Sequence, residues 1–435
     1  MTDTTRLQNI LTQIHFGPFR NLIGLPTTLI ALLLAVVVRL SYASPGDTAK
    51  PATKWVGTWG TAEQLVEPNN MPPEPGLANN TLRQVVCVSI GGDRLRVHFS
   101  NLFGTTPVTL ESVHIALSKG ESSIDPATDR ILSFDGRPEV TMAAGAVATS
   151  DSLEFPIKPR SLVAITICFG PTSAAVTGHP GSRTTSYLLA GNQIASVDFA
   201  GAAKTDHWYI ISGIDVIAPE NAAAVVVLGN SITDGRGSGT NKQNRWPDEL
   251  AIRLQTNAAT QQVSVLNMGI GGNCVLRNCL GPAAVDRFDR DVLSQEGVRW
   301  LIILEGINDI GQTRTEEQGR AVAAKLIDAY KQMIDRAHAK QIRVYGATLL
   351  PMGGSFYAGG YRDSAWGQVN KWIRTSGQFD AVIDIDAALR DRENPSRLMP
   401  DADSGDHLHP SERGHQMMGD AVDLNLFKEG WKKPE

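Results

Sequence analysis

At 435 residues the chain exceeds what one hydrophobic core usually organises, and 42% hydrophobic with 20% charged residues is ordinary globular composition, in keeping with two domains. A formal net charge of −5 gives no electrostatic footprint for nucleic acid, so no nucleic-acid partner is expected. Neither an internal repeat nor a long low-complexity tract is present.

The N-terminus reads as a targeting segment. Residues 27–38 form an apolar core, preceded by Arg6, His15 and Arg20 and followed by the small-x-small site Ser41, Tyr42, Ala43. Bounded by Pro26 and Arg39, the core is short for a membrane span. Residues 1–43 are therefore expected to be a signal peptide and the protein secreted or periplasmic. An uncleaved signal anchor is the alternative, and the one route to a membrane. Residues 44–53, rich in Ser, Pro, Ala and Thr, read as a flexible linker.

Residues 54–218 have the rhythm of an all-β domain. Strand patterns recur at 83–90, 94–99, 109–116, 153–156, 161–169, 186–189 and 207–217, with turn residues such as Gly91, Gly92, Asp93 and Asp135, Gly136 between them. With no amphipathic helix in the stretch, an antiparallel β-sandwich of jelly-roll type is expected. Trp55, Trp59, Trp208 and Tyr209 are candidates for stacking on sugars, although tryptophan in a β domain is more often core. The turn at 101–104 is a candidate for reaching toward the following domain. Cys87 and Cys168 lie in apolar strand patterns, where buried thiols and a bridge are equally open.

Past residue 222 strand and helix alternate. Apolar strands are expected at 224–228, 263–266, 300–304, 342–347 and 381–385, and helices at 246–258, 315–339 and 364–375, the pattern of βαβ units around a parallel sheet. Residues 412–424 read as a closing helix with Ser411 as N-cap, which puts His409 and Pro410 at a helix entrance.

Four polar motifs punctuate this half. Gly229-Asn230-Ser231 follows the first strand, a loop with Gly269, Gly271 and Gly272 follows the second, Glu305-Gly306-Ile307-Asn308-Asp309 follows the third, and Asp406-His407-Leu408-His409-Pro410 lies near the end. A serine hydroxyl is a weak nucleophile and needs a base in hydrogen-bond reach, itself oriented by a third group. Ser231, His409 and Asp406 supply that set, with base and acid three residues apart. Other uses of these residues are open: Asp406, His407 and His409 as metal ligands, and Asp309 as an Asx-turn or N-cap residue. Cys274 and Cys279 are five apart behind Gly272, and a disulfide there, favoured over free thiols, pins the loop in an oxidising compartment.

In their order after successive strands, these four motifs resemble the blocks of the SGNH hydrolases, also called GDSL esterases, over about residues 222–425. The resemblance implies a flavodoxin-like three-layer α/β/α domain with a five-stranded parallel sheet, here residues 222–430. It also implies oxyanion donors at the Ser231 N–H, the Gly272 N–H and the Asn308 side-chain amide. Many members read Gly-Asp-Ser where this chain has Gly229-Asn230-Ser231, so Asn230 is expected to alter local hydrogen bonding without abolishing activity. The α/β-hydrolase elbow Gly-x-Ser-x-Gly is not matched, since residues 229–233 read Gly-Asn-Ser-Ile-Thr. A β-sandwich ahead of such a domain resembles bacterial acyl hydrolases and arylesterases. This implies a carboxylic ester hydrolase without metal or organic cofactor, with short-chain esters and acetylated polysaccharide as the leading substrates. A lipase or thioesterase, and a non-catalytic carbohydrate-binding envelope protein, are the alternatives.

Overall fold

Among the described residues the β-rich half is built from two large antiparallel sheets and a small third one, in the order Trp208–Tyr209, Thr177–His179, Gln64–Leu65. In the computed structural model, which describes residues 52–428 with 430, 431 and 433, one sheet runs in the order Thr53–Gly60, Ile211–Pro219, Gly92–Ser100, Leu153–Ile157, with Val147–Thr149 also on Gly92–Ser100. The other centres on Asn80–Cys87, Leu162–Phe169 and Val108–Gly120, with Val86 opposite Val163 and Ile115 opposite Ile165. The export signal at 1–43 and the linker at 44–53, apart from its last two residues, lie outside the described residues.

Two of the expected strands end differently, for local reasons. The strand expected at 83–90 stops at Cys87, because Ser89 leaves the ladder: its N–H donates to the Thr58 carbonyl at 2.7 Å, and its Oγ accepts from the Val265 N–H at 2.9 Å. The strand expected at 207–217 breaks at Ile210, whose φ of 68° is strained for a β-branched residue. Its N–H donates to the Thr177 carbonyl and its carbonyl accepts from Ser100, so the kink is fixed at both ends.

Beyond residue 222, the second half forms a five-stranded parallel sheet among the described residues, in the order Val263–Gly269, Ala223–Gly229, Val298–Leu304, Arg343–Ala347, Ala381–Ile383. Numbered along this half, the order is 2-1-3-4-5, the flavodoxin-like arrangement. Every residue of Ala223–Gly229 is buried, which its unbroken apolar run requires of a strand covered on both faces. The expected strand at 381–385 ends at Ile383, because the Asp384 carboxylate accepts from the Ala387 N–H and caps the helix Ile385–Leu389. Ser411 does cap the last long helix, Glu412–Asp420, which ends four residues short of the expected 424.

One contiguous apolar core runs through both halves, and the chain from Ala52 onward clusters as one compact unit. The first strand of the β-rich half lies against the edge strand Val263–Gly269: a Cβ on Gly57 would stand 2.9 Å from a Leu266 methyl, and the Val265 N–H is taken by Ser89. The sheet edge is covered in this way. Trp59, Trp208 and Tyr209, considered above as sugar-stacking residues, are core, at 5%, 1% and 0% exposure. Trp59 meets Trp208 edge to face, and only half-buried Trp55, under the Arg96 guanidinium, retains an accessible face. Among the described residues no helix is long and apolar enough to cross a membrane.

Candidate active site

The sheet order reverses between the strand preceding Ser231 and the strand preceding Asn308, and ligands of open α/β sheets bind at that switch point. Ser231 opens a single helical turn, Ser231–Asp234, capped by Asn230, whose Oδ1 accepts from the Ile232 N–H at 3.1 Å. The turn is tight enough that a Cβ on Gly229 would stand 2.2 Å from Thr233 Oγ1, and one on Gly269 2.3 Å from the Asp234 nitrogen. Only glycine permits both approaches.

Ser231, 8% exposed, places its Oγ 2.8 Å from His409 Nε2. His409 Nδ1 lies 2.6 Å from Asp406 Oδ2. The carboxylate fixes the proton on Nδ1, which leaves the Nε2 lone pair facing the serine hydroxyl. Asp406 is itself held through Oδ1 by the backbone N–H groups of His409 and Leu408, at 2.9 and 3.1 Å. Burial alone would raise its pKa, but those two N–H groups and the imidazole outweigh it and hold it at about 2. For His409, burial is the largest influence and lowers the pKa; Asp406 opposes it, while Arg236 and Arg183 add to the lowering.

His407, two residues away, turns from this line to bond Asp403, so Asp406, His407 and His409 do not converge on one point.

Gly272 has φ +68° and lies two residues ahead of the Cys274–Cys279 disulfide, which the structure contains. Cys87 and Cys168 are free and buried. The loop rests against the Ser231 turn, where a Cβ on Gly271 would come within 3.3 Å of Asp234 Oδ2. Asn308, 4% exposed, donates from Nδ2 to the Asn273 carbonyl at 2.7 Å, and its Oδ1 accepts from the Tyr357 hydroxyl at 3.0 Å. Those two bonds fix which end of the amide is NH₂ and leave one Nδ2 proton uncommitted. Asp309 is not the N-cap expected of it. It lies within the helix Ile307–Gly311 and accepts the N–H groups of Val275 and Leu276, tying the disulfide loop to the Asn308 helix.

Several contributors carry no sequence signal of their own. Fully buried Arg287 donates to the carbonyls of Gly229 and Met268, where two strands end, and to Asn273 Oδ1, so one guanidinium holds both strand ends and the loop. Glu305 accepts through Oε1 from Asn230 Nδ2 and the Gly306 N–H, each at 3.2 Å. Burial pushes its pKa up to about 8. Asn230 donates to Glu305, a bond that an ionised aspartate at this position could not supply. The 101–104 turn does meet the other half: Phe103 lies under the Arg290 guanidinium.

Residues 227–417 match the sequence model of the GDSL-like Lipase/Acylhydrolase family. The matched stretch takes in Ser231, Gly272, Asn308, Asp406 and His409, and is similar to that family. Solved structures similar to the chain include a protein of the G-D-S-L lipolytic family from Desulfitobacterium hafniense, at 23% identity and TM-score 0.36, over 46% of this chain and 97% of that one. A catalytic mutant of an acetylxylan esterase from Geobacillus stearothermophilus shares 21% identity over 46% of this chain and 93% of its own, at TM-score 0.35. A GDSL-like lipase from Bacteroides thetaiotaomicron shares 18% over 46% and 84%, at TM-score 0.33. No curated protein sequence matches the chain.

Proposed function

We propose that the protein is a carboxylic ester hydrolase, as the similarity of residues 227–417 to GDSL-like lipases and acylhydrolases supports, and that it cleaves its ester through a covalent acyl-enzyme formed on Ser231. The carrying observation is the line of contacts from Ser231 Oγ to His409 at 2.8 Å and from His409 to Asp406 at 2.6 Å. In this reading His409 Nε2 takes the hydroxyl proton as Oγ attacks the carbonyl carbon, and Asp406 stabilises the imidazolium. The oxyanion is received by the Ser231 N–H, the Gly272 N–H and the free Nδ2 proton of Asn308. His409 then protonates the leaving alcohol; in the second half it takes a proton from the water that attacks the acyl carbon and gives it to Ser231 Oγ as the acyl–oxygen bond breaks and the acid departs.

Short-chain esters, and O-acetyl groups on carbohydrate, are the leading substrates, a reading supported by the resemblance of a β-sandwich followed by an SGNH domain. The β-rich half is read as an accessory jelly-roll-like domain at 54–218 beside a catalytic domain at 222–430. Export to the periplasm or medium is supported by the sequence of residues 1–43.

The test is Ser231→Ala on p-nitrophenyl acetate. Hydrolysis is expected to fall by about 10⁴-fold or more with the circular dichroism spectrum and melting temperature retained. A near-normal rate overturns the assignment of Ser231.

A further inference from the structure

We propose that the ester substrate carries a carboxylate close to the scissile bond, and that Arg183 and Arg236 bind it. This deepens the serine-esterase reading and rests on it.

The observation behind it is a contrast among arginines. The deeply buried guanidiniums are fully used: Arg83 bonds Thr166 and the carbonyls of Ser122, Ser196 and Val197, and Arg245 lies 2.6 Å from Asp248. Arg183 and Arg236 are not. Arg183 Nε is buried without a partner, and its nearest carboxylate oxygen, Asp234 Oδ2, is 4.0 Å away on a group already bonded to His179. Arg236 is 61% exposed, with Nε 3.9 Å from Asp406 Oδ2, an oxygen committed to His409. Both distances exceed a charge-assisted hydrogen bond, so the donors of both forks remain available.

Their placement is specific. Arg236 follows the Ser231 turn, with its N–H donating to the Ser231 carbonyl at 2.8 Å. Arg183 comes from the β-rich half and stands at φ 49°, held there by the Asn241 N–H on its carbonyl at 2.9 Å. A left-handed arginine persists where its surroundings over-determine it. Arg183 approaches Asp234, which closes the Ser231 turn, and Arg236 approaches Asp406, the partner of His409, so the two cations border the nucleophile and its base. A neutral ester leaves these two charges unanswered, whereas a carboxylate pairs with either fork in bidentate geometry. The carboxylate belongs either to the alcohol, as in an O-acetylated uronic acid, or to the acyl group, as in a dicarboxylic half-ester.

Two matched pairs separate these sources: mono-O-acetylated methyl glucuronide against methyl glucoside, and p-nitrophenyl hydrogen adipate against p-nitrophenyl methyl adipate. For the full chain, kcat/KM is expected to favour the anionic member of one pair by about tenfold or more, through KM, and added salt should reduce the preference. Arg183→Gln and Arg236→Gln should each lower that ratio and the double variant bring it to about one, while Arg→Lys restores part of it. Because the readout is a ratio, a general loss of rate in a variant cancels. A wild-type ratio near one in both pairs, or a ratio unmoved in the double variant, overturns the proposal. Failure to cleave any of the four esters overturns the serine-esterase reading beneath it.

Discussion

His179 Nε2 lies 2.9 Å from Asp234 Oδ1, with His179 Nδ1 2.8 Å from the Ala62 carbonyl oxygen. The histidine ends the strand Thr177–His179 of the β-rich half, and the aspartate closes the helical turn that Ser231 opens. Both are buried, and His179 stacks on Trp208. The ring is thus held between the Ala62 carbonyl on one side and the Asp234 carboxylate on the other. The nucleophile's platform is therefore completed by a residue about fifty positions upstream, in the other half of the fold.

Removing that partner leaves a carboxylate buried beneath the nucleophile. His179→Ala is expected to cost about 1–3 kcal/mol of stability, the usual cost of leaving a buried hydrogen-bonding group without its partner. It should also lower kcat more than it raises KM, because the turn presenting Ser231 loosens. His179→Gln, which keeps one donor, should fall between. Urea unfolding with steady-state kinetics on p-nitrophenyl acetate checks both expectations; an unchanged midpoint and kcat in His179→Ala would contradict them.

The pH profile follows from His409. As base it must be unprotonated, and burial, aided by Arg236 and Arg183, lowers its pKa from the usual 6.5. The acid limb of kcat/KM should therefore have its midpoint below 6.5. Asp406→Asn removes the group that raises the His409 pKa and fixes its tautomer. The limb should move further toward acid, with kcat down by about 10³–10⁴. A limb that moves toward alkali in Asp406→Asn would contradict this coupling.

Glu305 gives a dependence of the opposite kind. Burial raises its pKa from 4.5 to about 8, so between those values the native state holds a proton that the unfolded chain has released. Its contribution is fully present below pH 4.5, is lost as pH rises toward about 8 and is constant above. Glu305→Gln mimics the neutral acid and should flatten this part of the stability curve in urea titrations from pH 5 to 9. Asn230→Asp sets a second carboxylate beside Glu305, where its Nδ2 now stands 3.2 Å from Oε1. Both cannot ionise in that setting, so this variant should lose activity as pH rises above neutrality and recover on acidification. An activity profile parallel to wild type would show that the Asn230–Glu305 contact has no bearing on the site.

What could be read from the sequence was whatever local order encodes. Ser231, Asn308, Asp406 and His409 stand out because each follows a strand or precedes a helix within a few residues. His179, Arg287 and Tyr357 were invisible because they reach the site only when distant segments pack. Strands were legible as apolar runs, but their ends were not: Ile210 breaks one through hydrogen bonds to Thr177 and Ser100, and Asp384 stops another by capping a helix. The role of Asp309 is not legible in the sequence because a cap and a loop anchor use the same residue type. Its two acceptor bonds lead to Val275 and Leu276, more than thirty residues back.

Asn308 is set between two partners that do different things. The Asn273 carbonyl holds its Nδ2, and the Tyr357 hydroxyl donates to its Oδ1, which prevents the amide from turning its oxygen toward the developing oxyanion. Asn308→Ala removes the donor and should lower kcat by about 10²–10³. Tyr357→Phe keeps the donor but frees the amide, so only a few-fold loss, about three- to tenfold in kcat, is expected from one hydrogen bond. In the Asn308→Ala background Tyr357→Phe should then have almost no further effect, because the hydroxyl acts only through the amide it orients. Additive losses in the double variant would mean that Tyr357 touches the substrate itself.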